Sequence, residues 1–317
     1  MLKPVVVFDM KYEGLSKLIT GNVILDAPMA SYTTYRIGGP ADCLVEAASV
    51  KDVVATVGYA KSNALPLTVI GNGSNLLVSD KGIEGIVLCI GNSLNQWQIR
   101  GNQLIAGAGC LLSQLARETA KLGYEGLQWA AGIPASLGGA AYMNAGAFGH
   151  NFYETLTGVT AVSLDGKVIY LEGEALNSSY RTTALMTEGY IATELKIRLR
   201  QGDKEALTAT VEDILARRRD KQPLNYPSCG SVFKNPEGSH AGYLIEKCDL
   251  RGKRIGNVEI STKHGNFFLN LGDGTAEDVC RLINYAIDVV KREEGYILEP
   301  EVRIIGREVN KLVSNPS

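Results

Sequence analysis

The segment Gly132-Ile-Pro-Ala-Ser-Leu-Gly-Gly-Ala-Ala-Tyr-Met-Asn-Ala-Gly-Ala-Phe-Gly149 contains five glycines and no charged side chain. It has too little side-chain bulk to build a core of its own, yet it is too apolar for an ordinary surface loop. Glycine permits positive φ and lets a ligand approach the main chain closely, and consecutive main-chain N–H groups can hold a pyrophosphate. The alternative is close contact between backbones with no ligand, because glycine-rich runs are weak motifs when taken alone.

A second glycine-rich segment follows a short buried strand at Leu67–Ile70. Gly71-Asn-Gly-Ser-Asn75 offers main-chain N–H groups, a hydroxyl and amides just past the strand's carboxyl end, which indicates a phosphate-binding loop. The segment lacks the third glycine of a dinucleotide fingerprint and the Gly-Lys-Ser/Thr of a Walker A loop. A plain strand-to-turn junction is the alternative.

The composition of the 317 residues is that of a globular protein. A formal net charge of −2 gives no overall basic field that would attract nucleic acid. No apolar run is long enough to span a bilayer, and the first ten residues lack the features of a signal peptide. The six cysteines form no C-x-x-C pair and the three histidines have no metal-ligand spacing. We therefore expect reduced thiols, a cytoplasmic location and no metal site.

Helical spacing of apolar residues is clearest at 50–62, where Ser49 is placed as N-cap and Asp52 completes a capping box. Further helices are predicted at about 204–219, 241–248, 275–293 and after Gly107-Ala-Gly109. The buried face predicted for the last of these comprises Leu111, Leu112, Leu115, Ala116 and Thr119. The helix at 204–219 ends in three arginines, which either complement the helix dipole in solvent or meet an anionic ligand.

Short strands are indicated by alternating or continuous apolar runs between turn signals. They are predicted at 86–90, 97–100, 103–106, 159–164, 168–171, 191–200, 296–298 and 302–305. A strand-like beginning at 34–37 is broken by Gly38-Gly-Pro40. Asp165-Gly166 predicts a type I′ hairpin turn between two of these strands.

Several of these segments, taken together and in order, resemble the UDP-N-acetylenolpyruvoylglucosamine reductase family. Those similar to its FAD-binding half are Tyr35-Arg-Ile-Gly-Gly-Pro-Ala, Gly71-Asn-Gly-Ser-Asn-Leu-Leu-Val, Gly132-Ile-Pro-Ala-Ser-Leu-Gly-Gly-Ala and Asn144-Ala-Gly-Ala-Phe-Gly. Those similar to its substrate half are Gly230-Ser-Val-Phe-Lys-Asn-Pro, Ala241-Gly-Tyr-Leu-Ile-Glu and Leu298-Glu-Pro-Glu-Val-Arg-Ile-Ile-Gly. The resemblance covers about residues 30–306.

The resemblance implies an α+β fold with an FAD-binding region of the vanillyl-alcohol-oxidase (PCMH) type. Two FAD-binding subdomains would occupy 1–90 and 91–202, and an α+β substrate domain would occupy 203–317. The last strand, at about 296–306, is expected to pack back on the first subdomain. The chain has no long inserted tyrosine-bearing loop between Arg181 and Ser231, which resembles the type II branch of the family.

The family's activity is reduction of the enolpyruvyl ether of a UDP-sugar with NADPH through FAD, giving UDP-N-acetylmuramate for peptidoglycan. Hydride transfer to one vinyl carbon leaves an enolate-like centre on its neighbour, which needs a proton from a positioned acid. By resemblance, Ser231 gives that proton, Arg181 holds the carboxylate or stabilises charge, and Glu301 orients the site. Without the resemblance, Ser231 reads as a turn cap, Arg181 as a surface ion-pair partner and Glu301 as an exposed residue.

The resemblance also implies binding residues and partners. Those expected to bind FAD are Arg36, Gly71, Asn72, Gly73, Ser74, Asn75, Gly132, Ile133, Pro134, Ala135, Ser136, Gly138, Gly139, Asn144 and Gly146. Those expected to bind the UDP-sugar are Tyr180, Lys221, Lys234 and Asn235. NADPH is the expected co-substrate, and a monomer without membrane or nucleic-acid partners is expected.

Two other functions fit parts of the pattern. An FAD-dependent oxidase of the same fold would act on an alcohol or hydroxy acid and consume oxygen without NADPH. A non-catalytic nucleotide-sugar binding protein would carry no flavin and would be colourless.

Overall fold

The computed structural model describes residues 10–309. Its helices are Met10–Glu13 (α1), Val50–Ser62 (α2), Leu112–Lys121 (α3), Leu137–Tyr142 (α4), Ala184–Thr187 (α5), Lys204–Lys221 (α6), Ala241–Lys247 (α7) and Ala276–Glu294 (α8). Of these helices, none within 10–309 combines the length and the apolar character needed to cross a bilayer.

Twenty strands alternate with these helices over the same residues. The first ten are Asn22–Pro28 (β1), Pro40–Glu46 (β2), Leu67–Ile70 (β3), Leu76–Val78 (β4), Ile83–Cys89 (β5), Trp97–Arg100 (β6), Gln103–Gly107 (β7), Tyr124–Glu125 (β8), Gly146–Ala147 (β9) and His150–Asn151 (β10). The others are Leu156–Val162 (β11), Val168–Glu172 (β12), Ser178–Ser179 (β13), Thr182–Thr183 (β14), Ile191–Arg198 (β15), Arg200–Gln201 (β16), Arg254–Ile255 (β17), Val258–Ile260 (β18), Phe268–Asn270 (β19) and Arg303–Ile305 (β20).

The first sheet has the strand order β1-β2-β5-β3, in which β2, β5 and β3 run parallel. Helix α2 connects β2 to β3, as a parallel crossover requires. The predicted N-cap is confirmed, because the Ser49 hydroxyl accepts the main-chain N–H of Asp52 at 3.2 Å. The predicted capping box is not completed, since the Asp52 carboxylate accepts the main-chain N–H of Ala48 instead of that of Ser49. The parallel pairing brings the carboxyl ends of β3 and β5 together, and the glycine-rich loop at 71–75 starts there.

The second sheet is antiparallel, with the order β12-β11-β15-β7-β6. The predicted alternation in β15 is confirmed, since Leu195 and Ile197 are buried while Glu194 and Arg198 are exposed. Helix α4 packs on β15 and β7, and α6 packs on α3. The buried face of α6 joins the same core, to which it contributes Leu207, Val211 and Ile214.

The C-terminal region combines the small antiparallel sheet β17-β18-β19 with α7 and α8. Helix α8 has the predicted inward stripe, formed by Val279, Leu282, Ile283, Ala286 and Val290, all buried. Thr275 caps its first turn and Gly295 ends it with φ of 74°. Beyond it, β20 runs parallel to β4, with Arg303 opposite Leu76. The chain therefore returns to the edge of the 71–75 loop.

Four other local predictions were wrong. The Asp165-Gly166 turn is not type I′, which needs positive φ at both central residues; Gly166 has φ of 79° but Asp165 stays in the negative range. Residues 34–37 form no strand, because Arg36 and Gly38 take positive φ. Residues 296–298 are irregular. Leu111 lies at the N-cap of α3 and is 37% exposed rather than buried.

The Asp52 carboxylate connects the first turn of α2 to the residues that precede β1. It accepts main-chain N–H groups of Thr20 (3.1 Å), Gly21 (2.9 Å) and Ala48 (2.8 Å). Burial of the carboxyl opposes its ionisation, but these hydrogen bonds outweigh burial and lower the pKa of Asp52. The stabilisation is therefore present above the unfolded-state pKa and is lost as pH falls through the folded-state pKa.

We expect Asp52→Asn to lower the free energy of unfolding at pH 7 by about 1–3 kcal/mol, the usual cost of leaving buried donors unsatisfied. The difference from the wild type should shrink as the pH falls through the lowered pKa. Melting curves over pH measure it, with Asp165→Asn as control because Asp165 sits in an exposed ion pair with Lys61. A melting temperature for Asp52→Asn that matched the control at pH 7 would contradict this role.

Candidate functional site

A cavity of about 750 Å³ lies where segments from the predicted FAD-binding regions and from the C-terminal region meet. Its wall includes the 71–75 loop, residues 133–136 and the Tyr180-Arg181 turn. Ser231 and Glu301 complete the wall from the C-terminal region. We call this space the main cavity.

The 71–75 loop is shaped for an anion. In the described part of the chain, none of its five main-chain N–H groups donates to another residue. Gly73 has φ of 62°, and a Cβ there would lie 2.1 Å from the carbonyl oxygen of Tyr32. A Cβ on Gly71 would lie 2.1 Å from Ser136 Oγ. The loop is thus held against two neighbouring segments while its N–H groups remain free, which is the arrangement of a phosphate-binding nest.

A second cavity of about 380 Å³ meets the main cavity at the same loop. Both cavities are lined by Gly71, Asn72 and Ser136. The second cavity carries hydroxyl groups and one carboxylate, from Ser31, Tyr32, Thr33, Thr34, Glu46, Ser93 and Ser136. A dinucleotide with its diphosphate at the loop would extend one half into each cavity, so the residues present fit FAD.

The 132–149 segment contributes to the site mainly by packing closely against its neighbours, because several of its main-chain N–H groups already donate within the protein. It contains α4, which is capped by the Ser136 hydroxyl accepting the N–H of Gly139 at 3.3 Å. The N–H groups of Leu137 and Gly138 donate to the carbonyls of Cys110 and Ala108. These amides are therefore occupied within the protein, unlike those of the 71–75 loop.

Arg181 and Glu301 form an ion pair that is largely shielded from solvent. The Nε of Arg181 lies 2.5 Å from Oε1 of Glu301, and each side chain is 15% exposed. The Nη1 of Arg181 donates to the carbonyl of Asn144 at 2.9 Å. A guanidinium has five N–H donors, so three remain. Those three suit bidentate binding of a carboxylate.

Ser231 lies on the segment next to Glu301. The main-chain N–H of Glu301 donates to the carbonyl of Val232 at 2.7 Å, and Phe233 pairs with Pro300. Gly230 has φ of 79°, which turns the chain just before Ser231. Among residues 10–309, no hydrogen-bond partner engages the Ser231 hydroxyl. The hydroxyl is therefore available to a ligand in the main cavity.

Cys229 also borders the main cavity. Burial of the thiol and the nearby charge of Glu301 raise the pKa of Cys229 to about 12. The thiol therefore stays protonated at neutral pH, which makes it a poor nucleophile.

Most of the predicted site residues come together on the main cavity. These are Gly71, Asn72, Gly73, Ser74, Asn75, Ile133, Pro134, Ala135, Ser136, Gly138, Gly139, Gly146, Tyr180, Arg181, Ser231, Asn235 and Glu301. The sequence order alone could not show this convergence, since these residues span more than two thirds of the chain.

Five predicted residues do not line the main cavity. Arg36 is exposed, and Lys221 is exposed at the end of α6. Lys234 forms an ion pair with Glu299. Gly132 lies against the side chain of Arg218, and Asn144 lies behind Arg181.

Two arginines outside the predicted set do line the main cavity. Arg218 has no carboxylate partner within the described residues, and burial lowers the pKa of its guanidinium. Its spacing from Ile214 and Val211 on α6 places it on the buried face of the helix, and this signal was overlooked. Arg303 lies two residues after Glu301, with its guanidinium carbon 5.7 Å from the ring centre of Tyr142.

The fold and the paired cavities define an FAD-binding protein, and comparison with known proteins agrees. A family model described as an FAD binding domain matches residues 41–172. A second, described as the C-terminal domain of UDP-N-acetylenolpyruvoylglucosamine reductase, matches residues 222–305.

Relatives extend this match over nearly the whole chain. The UDP-N-acetylenolpyruvoylglucosamine reductase of Alkaliphilus oremlandii is 41% identical over 298 residues, which is 94% of this chain and 98% of that protein. That of Heliobacterium modesticaldum is 42% identical over 287 residues, covering 90% and 91% of the two chains. The crystal structure of UDP-N-acetylenolpyruvylglucosamine reductase from Thermus caldophilus is similar with a TM-score of 0.77 and 33% identity, covering 90% of this chain and 98% of that one.

This chain belongs to the UDP-N-acetylenolpyruvoylglucosamine reductase family. The predicted α+β fold with an FAD-binding region is confirmed, and so is the prediction of an FAD-dependent oxidoreductase with NADPH as co-substrate.

Proposed function

We infer that this chain reduces the enolpyruvyl ether of UDP-N-acetylglucosamine enolpyruvate, with NADPH as electron donor, in the main cavity. The observation that carries the assignment of the site is the meeting of the Arg181–Glu301 ion pair and the free Ser231 hydroxyl in a cavity also lined by the 71–75 loop. These groups supply a carboxylate-binding cation, a proton donor and a cofactor cradle in one space.

The main-chain N–H groups of the 71–75 loop would hold the diphosphate of FAD. The smaller cavity would hold the adenosine half, and the main cavity would hold the flavin ring next to Ser231 and Arg181. Bound FAD supplies the hydride that NADPH donates.

The side chains of this chain provide the remaining steps. Arg181 binds the substrate carboxylate through its free N–H edge and offsets the charge that develops beside it. The Ser231 hydroxyl donates its proton to the enolic carbon, and the resulting alkoxide regains a proton from solvent. Glu301 holds the guanidinium by its Nε, which fixes the direction of the remaining donors.

Arg218 is a half-buried cation beside the same cavity with no carboxylate partner among residues 10–309, and we propose that it binds a phosphate of the UDP group. We expect Arg218→Met to raise the KM for the UDP-sugar about 10- to 100-fold, the scale of losing a charge-assisted hydrogen bond. The melting temperature should hold or rise, because a buried unpaired charge is removed.

Arg217→Met is the matched control, because Arg217 is exposed and pairs with Asp213 on the same helix. It should change neither quantity appreciably. An unchanged KM in Arg218→Met, measured in steady-state kinetics with NADPH saturating, would rule out this contact.

Tyr180 and Asn235 line the main cavity and are proposed substrate contacts, with Lys221 and Lys234 as more distant candidates. We propose the domain division 1–90, 91–202 and 203–317, although α6 packs on the middle region. A cytoplasmic location, a monomeric state and membership of the type II branch are likewise proposals, supported by the composition and by the lack of a long inserted loop after Arg181.

The absorption spectrum of the purified protein tests this function against its alternatives. We expect a yellow protein with about one flavin per chain that NADPH bleaches. A colourless protein would favour a nucleotide-sugar binding protein. A flavin that NADPH does not reduce, together with oxygen consumption on addition of an alcohol or hydroxy acid, would favour an oxidase.

A further inference from the structure

Asn144 connects Arg181 to two other segments of the chain through its side-chain amide and its main-chain carbonyl. Its side-chain Nδ2 donates to the carbonyl of Ser179 at 3.2 Å, and its Oδ1 accepts the N–H of Tyr153 at 3.3 Å. Its main-chain carbonyl accepts Nη1 of Arg181 at 2.9 Å. One residue thus holds both the guanidinium and the chain just before it.

The backbone of Asn144 is suited to this task. Its φ is 43°, in the left-handed region that asparagine tolerates better than most residues, and it is 7% exposed. This conformation turns the chain after α4 so that the carbonyl faces the guanidinium. A residue with an ordinary side chain there would be strained and would lack the two side-chain hydrogen bonds.

The Tyr180-Arg181 turn depends on such anchoring. It joins the two-residue strands β13 and β14, and Arg181 itself has φ of 56°. Two-residue strands provide little restraint of their own. Glu301 holds Nε of Arg181 and Asn144 holds Nη1, so the guanidinium is fixed from two sides.

We propose that Asn144 is a positioning residue for Arg181, rather than the flavin contact that the sequence predicted. This inference rests on the proposed role of Arg181. Through its three contacts Asn144 sets the plane of the guanidinium, so that the free N–H edge meets the substrate carboxylate.

The test uses Asn144→Gly, which keeps the left-handed backbone and the carbonyl but removes both side-chain hydrogen bonds. Asn144→Asp is the companion, since it keeps the Oδ1 acceptor and replaces the donor to Ser179 with an oxygen. We expect kcat/KM for the enolpyruvyl substrate to fall about tenfold or more in both, because small displacements of a positioning group cost that much. Flavin content and the rate of flavin reduction by NADPH should stay within about twofold of the wild-type values. Hydride transfer from NADPH does not need the substrate carboxylate to be held by Arg181.

A double-mutant cycle with Arg181→Ala separates positioning from a general structural role. If Asn144 acts through Arg181, Asn144→Gly should add little to the loss already caused by Arg181→Ala. Additive losses, a loss of flavin, or equal slowing of both half-reactions would overturn the inference, and so would full activity of Asn144→Gly. Full activity of Arg181→Ala alone would instead refute the proposed function of Arg181.

Discussion

Ser231→Ala should slow reduction of the enolpyruvyl substrate by two or more decades, while NADPH continues to bleach the flavin. The loss has the usual scale for removing a positioned acid, about 10²–10⁴-fold. The two half-reactions should respond differently, because only reduction of the enolpyruvyl substrate needs a proton on carbon. Separate stopped-flow measurements of flavin reduction by NADPH and of flavin reoxidation by substrate give the two rates.

Ser228→Ala is the matched control for this variant. Ser228 lies three residues earlier on the same segment. Its main-chain carbonyl accepts the Thr34 hydroxyl at 2.7 Å, and this hydrogen bond survives the change. We expect nearly wild-type rates in both half-reactions. Equal losses in both half-reactions of Ser231→Ala would show that Ser231 shapes the cavity rather than donating the proton.

Gly73→Ala should remove most of the bound FAD. The new Cβ would lie 2.1 Å from the Tyr32 carbonyl, and φ of 62° adds a cost of about 1–2 kcal/mol for an L side chain. Relief requires the loop to move, which displaces the N–H groups from the diphosphate. We expect at least about a tenfold weaker FAD affinity, the equivalent of ~1.4 kcal/mol, with a lower melting temperature.

Gly58→Ala provides the comparison. Gly58 lies inside α2, its φ is negative, and nothing lies within 4 Å of the position its Cβ would take. This change should stabilise the helix by about 0.5–1 kcal/mol and leave FAD binding unaltered. Flavin fluorescence titration of the apoprotein measures both affinities, and equal affinities for the two variants would contradict the assignment of the 71–75 loop to the diphosphate.

The elements that the sequence predicted well are those set by local chemistry. The Ser49 cap and the stripe of α8 follow from spacing within one helix, so both could be predicted without any knowledge of the tertiary fold. The turn after β3 was also predicted from its glycines, and its assignment as a phosphate-binding loop stays a prediction.

The candidate site needed more than local chemistry. Ser231 and Glu301 are 70 positions apart, and only the pairing of their two segments brings them side by side. The resemblance supplied their grouping in advance. Arg218 was seen only as part of a basic run, although its helical spacing from Ile214 marks it as inward-facing.

Residues whose role depends on backbone conformation were the hardest to predict. Asn144 lies in a glycine-rich motif, and its role in FAD binding stays a prediction. With φ of 43°, its main-chain carbonyl accepts Nη1 of Arg181, which composition did not indicate. The prediction of a type I′ turn at Asp165-Gly166 was wrong because it also depended on the backbone conformation. The identity of these two residues does not by itself set φ at both of them. Strand β11 ends at Val162 and β12 begins at Val168, so the loop is longer than the two residues of a type I′ hairpin.

The most direct test of the central claim is anaerobic reoxidation of the NADPH-reduced flavin by UDP-N-acetylglucosamine enolpyruvate. In the wild-type protein, the flavin absorbance should return without oxygen, with one product formed per flavin turned over. The same experiment on Ser231→Ala should show the absorbance returning at least about a hundredfold more slowly. A wild-type flavin that stays bleached until oxygen is admitted would contradict the account.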